Sequence, residues 1–186
     1  MKKQNFFFSV LMALCAMTLT TVFTSCGSDD APQQQPKDLP ATAKLDCTLQ
    51  TDDATLVNFD FFVKYYNANG EIKSEKVVWG DQLDNKGRRV TKINVATKLP
   101  ATLGVYCEMK LKDNAPQQAT YHVAHGFSYS YGSYTTSGGV INYDEVGNYA
   151  SFEGDAEAFK TDPVLKFLDV ILQYDNKGGI SQGKWQ

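Results

Sequence analysis

The chain has 186 residues, 42% of them apolar and 21% charged, with fourteen Gly and six Pro. That balance describes a folded globular protein rather than a disordered one, and the length holds one domain with an appendage. Eighteen basic against 21 acidic residues give a formal charge of −3 and no basic patch of the size a phosphate backbone needs, which argues against nucleic-acid partners.

Met1-Lys2-Lys3 is a short basic start, followed by the apolar run Phe6 to Phe23 and then Thr24-Ser25-Cys26-Gly27. These are the parts of a secretory signal peptide. An uncleaved membrane anchor is the competing reading, but eighteen residues only just span a bilayer, and Ser9, Thr18, Thr20 and Thr21 interrupt them. Phe23-Thr24-Ser25-Cys26 resembles the lipobox of bacterial lipoproteins, with Phe and Thr in place of the more usual Leu and Ala. The resemblance implies cleavage before Cys26 and acylation of that cysteine. One acyl chain binds a membrane marginally, whereas two or three, at roughly 0.8 kcal/mol per buried methylene, hold it stably. Loss of Lys2 and Lys3 with the leader leaves a net charge of −5, and Cys15 is discarded without a role.

Gly27 to Lys37 is polar, carries two prolines and has no apolar period, so it reads as a tether. Asp29-Asp30, close behind Cys26, resemble the export signal of surface lipoproteins in Bacteroides-type bacteria. That resemblance implies an outer-membrane protein facing outwards. The expected organisation is a signal peptide over 1–25, a lipidated Cys and tether over 26–40, and a β-sandwich domain over 41–186 whose C-terminal extension begins near 132.

From Ala43 the apolar period is two, the signature of strands. Leu45, Cys47 and Leu49 alternate with polar residues, and Val57, Phe59, Phe61, Val63 and Tyr65 alternate with Asn58, Asp60, Phe62 and Lys64. Asn67-Ala68-Asn69-Gly70 supplies a tight hairpin and Glu71 to Trp79 the returning strand. Asp81 to Gly87 has the flavour of a calcium loop, but Leu83 and Lys86 stand where an oxygen ligand and a glycine are needed, so Gly80 to Gly87 reads as a hairpin loop. Strands follow at Arg89 to Thr97, at Leu103 to Leu111 and, after the turn Asp113 to Pro116, at Ala119 to Tyr131. Strands so spaced argue for a mainly β, antiparallel sandwich.

Cys47 and Cys107 both fall in phase with the apolar face of their strands. In an oxidising envelope such a pair is expected to close; the 61-residue loop would contribute roughly 4 kcal/mol in the chain-entropy model. With that pair, residues 38–131 resemble an immunoglobulin or fibronectin type III sandwich. Phe59 to Trp79 is similar to the C–C′ hairpin, and Leu99 to Thr102 ahead of Tyr106-Cys107 to the turn entering strand F. The chain departs from that pattern in having no Trp on strand C, and Tyr106 one residue before the Cys rather than two.

Beyond Tyr131 the pattern loosens. Val140 to Glu153 predicts one or two short strands at best. Thr161-Asp162-Pro163 has the form of a helix start, and Val164, Leu165, Leu168, Ile171 and Leu172 share one helical face, which predicts a short C-terminal helix. A strand competes for the same residues, since Leu168, Val170, Leu172 and Tyr174 alternate and Tyr174 to Gly178 echoes the earlier hairpin. Ile180 to Trp185 reads as a final extended segment.

Catalytic chemistry is thinly supplied. His122 and His125, three apart on a strand, point to opposite faces and cannot clamp one metal without a bulge. Cys107 in an apolar face is no exposed thiolate, and nucleophile-elbow, phosphate-loop and zincin motifs do not occur. No cofactor is implied. Six of the ten tyrosines lie between Tyr121 and Tyr149, among Ser, Thr, Gly and Asn, the mixture of recognition surfaces. Tyr129, Tyr131 and Tyr134 are therefore the candidate ligand contacts, with strand packing as the plainer reading. The expectation is a non-enzymatic binding or interaction module on a lipid anchor, its partner a glycan or another envelope protein. The rivals are a polysaccharide-acting hydrolase using two of the acids, and a structural envelope subunit docking through its C-terminal segment.

Overall fold

The computed structural model describes residues 38–185. The expected leader, the expected acylation site at Cys26 and the expected tether up to residue 37 lie outside the described residues. Nine strands and two short helices follow in order: β1 (Pro40–Thr51), α1 (Asp53–Asn58), β2 (Phe59–Tyr66), β3 (Ile72–Lys76), β4 (Arg89–Lys98), β5 (Ala101–Leu111), β6 (Thr120–Thr135), β7 (Val140–Asp155), α2 (Ala156–Thr161), β8 (Val164–Tyr174) and β9 (Ile180–Gln182). They form two antiparallel sheets, β4-β1-β6-β7 and β3-β2-β5-β8-β9. These pack into the expected sandwich.

The period-two pattern explains why. Leu45 and Leu49 of β1 and Leu103, Val105 and Met109 of β5 are fully buried, and Phe59 and Phe61 of β2 are nearly so. The intervening residues face out, so each sheet carries one dry face and the two dry faces close on each other. Among the described residues the core draws on residues 43–180, within one compact unit.

Measured against an immunoglobulin fold, β4-β1 takes the E-B order and β3-β2-β5-β8 the C′-C-F-G order. The departure is β6. It leaves the F-like strand β5, crosses to the other sheet and pairs with β1 where strand A would stand, with Leu45 opposite Tyr131 and Cys47 opposite Tyr129. Its hairpin partner β7 then forms that sheet's edge.

The helix expected from Thr161 onward is not formed. Residues 164–174 are β8, paired with β5 from Ala101–Tyr174 to Lys110–Val164. A helix here would leave that flank of β5, whose inner face is fully buried, without a ladder partner. Pro163 follows a helix end instead of opening one: α2 is capped at its start by Asp155, whose carboxylate accepts from Glu157 N, and at its end by Asp162. The strand predicted from Val57 begins at Phe59, because Asp52 caps α1 by accepting from Thr55 N at 2.8 Å. The weak strands expected over Val140 to Glu153 are one strand of 16 residues.

The expected Cys47–Cys107 bridge is absent from the structure, where both are free, buried thiols. They sit on the inner faces of β1 and β5, one in each sheet, within one core cluster. Burial pushes the Cys47 thiol up to about 12 and raises that of Cys107 further, with the neighbouring Cys47 adding to it.

Two devices close the ends. Beyond Gln50–Gly126, β6 has no ladder partner on its β1 side, and two fully buried threonines take over at Ala124. Thr51 Oγ1 donates to the Ala124 carbonyl and Thr55 Oγ1 accepts from the Ala124 N–H, both at 2.7 Å. At the C-terminus, Trp185 lies flat on Tyr66 at 5.3 Å, beneath the Lys64 ammonium at 4.2 Å, and donates to Asp169 at 2.8 Å. The segment expected to be a docking element therefore packs on its own sheet.

Candidate functional site

Alternation along β6 sorts the tyrosine cluster. Phe127, Tyr129 and Tyr131 stand on the inner face, stacked at successive centroid distances of 6.0 Å with interplanar angles of 24° and 27°. Tyr134 is on the outer face, with the Lys44 ammonium 4.7 Å from its ring centroid. The structure thus brings Tyr129 and Tyr131 together and separates Tyr134 from them.

Tyr129 and Tyr131 line a cleft of about 460 Å³ between the two sheets. Asn142, Tyr143 and Asp144 of β7 form one side, and Val170, Leu172 and Ile180 of β8 and β9 belong to the other. The size is that of a small-ligand site. Tyr131 donates to Asp144 Oδ2 at 3.2 Å. Burial, together with the Asp144 charge, holds the Tyr131 phenol above its ordinary pKa, so it remains a donor at neutral pH. The cleft therefore combines stacked phenol rings, a carboxylate and an amide. Asn142, Tyr143 and Asp144 could not be placed from sequence, since only the β6–β7 register, with Tyr131 opposite Asp144, sets them beside the ladder. A larger cleft of about 570 Å³, at Pro100 to Thr102 and the β8–β9 turn, has Tyr174 as its single aromatic lining residue.

The cleft's end is pinned by the turn after β8. Ser133 Oγ and Asn142 Nδ2 both donate to the Gly178 carbonyl at 2.7 Å. Gly178 has φ +80°, and a Cβ there would sit 2.9 Å from Ser133 Oγ. Gly178→Ala is expected to lower stability by about 1–2 kcal/mol through the left-handed backbone alone, and thermal unfolding checks it.

The histidines occupy opposite faces, as expected. His125 packs between the sheets with its ring 4.8 Å from Phe167, and burial lowers its pKa. His122 lies outside, with Nε2 2.8 Å from Asp52 and Nδ1 3.2 Å from Glu153. The bond to Asp52 is the main cause of its raised pKa. At Asp52 burial acts the other way, but the bonds from Thr55 and His122 outweigh it and leave its pKa lowered. The sign follows. The His122 contribution is complete below the ordinary histidine value of about 6.5 and fades as pH rises through the higher folded value. The Asp52 contribution is present above about 3.9 and fades on acidification. His125, with its lowered pKa, acts in the opposite sense and adds stability as pH rises towards about 6.5, so the thermal midpoint is expected to fall from about pH 6.5 to pH 8.5, and His122→Gln to flatten that part of the profile.

Among the described residues, no group of three or more His, Cys, Asp or Glu is placed to hold a metal ion. Comparison of the chain with protein-family models, with curated proteins and with solved structures returned no match.

Proposed function

We propose that the chain is a lipid-anchored binding module of the outer membrane or cell surface that holds its ligand in the Tyr129–Tyr131 cleft without turning it over. The observation that carries this reading is the stacked phenol ladder opening beside Asp144 and Asn142. It offers flat apolar faces for sugar rings and polar groups for their hydroxyls. Asp144 is the one carboxylate among the described residues that line the cleft, whereas a glycosidase uses a pair, which favours binding over hydrolysis.

Three experiments test the proposal. Titration of residues 38–186 against a panel of host and dietary polysaccharides is expected to give saturable binding. Tyr131→Ala should weaken it about tenfold or more, the scale of a lost stacking partner. Tyr134→Ala, on the outer face, should leave it unchanged, and equal losses in both variants would refute the cleft. For the anchor, Cys26→Ala is expected to abolish lipid incorporation and membrane retention, and a retained mutant would refute the lipoprotein reading. Closure of Cys47 to Cys107 in the oxidising envelope belongs to the same proposal, and non-reducing peptide mapping that found both thiols free would remove it.

A further inference from the structure

The two edges of the β4-β1-β6-β7 sheet differ in charge. Strand β7 carries Asp144, Glu145, Glu153 and Asp155 and no basic residue, whereas β4 carries Arg89, Lys92 and Lys98 and no acid. Between the acids of β7 runs Val146 to Phe152, seven residues without charge or proline, with Val146 39% and Phe152 40% exposed. An exposed, uncharged edge of this kind presents unpaired N–H and C=O groups to any added strand. Arg89 is occupied by Asp53 at 2.6 Å, but Lys92 and Lys98 make no ion pair among the described residues.

We propose that the β7 edge receives the β4 edge of a second copy of this chain, so that copies join side by side into one continuous sheet. The topology makes the fit direct. All pairings in the sheet are antiparallel, so a copy carried sideways without being turned over brings its β4 antiparallel to β7, inner face matching inner face. Lys92 and Lys98 lie on the outer face, opposite Thr48 and Thr42 of β1; Glu145 and Glu153 share that face, opposite Ser130 and His122 of β6. With Lys98 set against Glu145, Lys92 falls opposite Ser151 and diagonal to Glu153, within cross-strand reach. The same register places Ile93 against Ala150, Thr91 against Phe152 and Thr97 against Val146 on the inner face, covering the exposed apolar residues. The contact is head-to-tail and does not close, so it makes rows rather than dimers. It uses the sheet's edges and does not depend on the ligand reading of the cleft.

Sedimentation velocity of residues 38–186 tests it. The wild-type domain is expected to form a concentration-dependent series of oligomers that dissociates as salt is raised from about 0.05 to 0.5 M. Lys98→Glu alone and Glu145→Lys alone should each weaken association about tenfold, since each sets like charges opposite one another. An equimolar mixture of the two variants should associate again, because each then offers the edge the other lacks. Unchanged circular dichroism verifies that both variants fold. A wild-type domain that stays monomeric, a series that stops at a dimer, or a mixture no more associated than its components would overturn the proposal.

Discussion

Phe59→Ala is expected to remove about 3–5 kcal/mol of folding stability, the usual cost of emptying a fully buried aromatic site. Phe59 is 1% exposed and joins three elements distant in sequence. Its ring meets Tyr121 of β6 edge-on at 5.9 Å and Phe159 of α2 at 5.0 Å. Those contacts bind α2 and the start of β6 to the opposite sheet, and Tyr121 adds a bond from its hydroxyl to the Pro116 carbonyl at 3.1 Å. Little could move in to refill the space without breaking one of them. Against a total of about 5–15 kcal/mol for a domain, the loss leaves a marginal fold. Urea unfolding should show a much lower midpoint at an unchanged slope. The half-buried Phe127 is the control, and its truncation should cost clearly less. A loss below about 1 kcal/mol for Phe59→Ala would mean that this end of the sandwich is not one core.

Thr55→Val keeps shape and removes a hydroxyl. It is expected to cost about 1–3 kcal/mol, because the Ala124 N–H is then buried without an acceptor. Thr51→Val orphans the Ala124 carbonyl by the same logic, while Thr55→Ser, which retains the oxygen, should recover most of the loss. The double variant should cost less than the two single changes together, since both act at one peptide of β6 and share its local opening. Hydrogen exchange at Ala124 gives a direct readout: Thr55→Val should speed it far more than exchange at Val123. If Thr55→Val were neutral, water would be reaching the Ala124 amide and the two threonines would not be closing the sheet.

These two sites also show how far the residue pattern carried. The strict alternation of Leu103, Val105, Cys107, Met109 and Leu111 fixed β5, and Asn67 to Gly70 fixed the β2–β3 turn, where Gly70 has φ +77°. Period-two burial and turn chemistry are local, and the sandwich was legible from them. Residues 164–174 were ambiguous because Val164, Leu165, Leu168, Ile171 and Leu172 satisfy a helical stripe and an alternating strand alike. The decision belongs to β5, which needs a partner on that flank, and local propensity does not register such a need. β7 was illegible for a related reason: as an edge strand with little buried surface it has no core-facing alternation to display. The candidate site was half visible. Tyr129 and Tyr131 stood out as neighbours in phase, but Tyr134 looked equivalent until alternation placed it across the sheet. Asp144 and Asn142 became partners only through the hairpin register.

The central claim is that the cleft binds without cleaving, and the most direct measurement is a polysaccharide screen in which binding and reducing-end release are read in the same wells. The account predicts at least one polysaccharide that binds saturably, weakens with Tyr131→Ala and releases no reducing ends above the buffer rate. Release that rises with protein concentration and vanishes when Asp144 is changed to Asn would contradict it, and would make the same cleft the active site of a hydrolase.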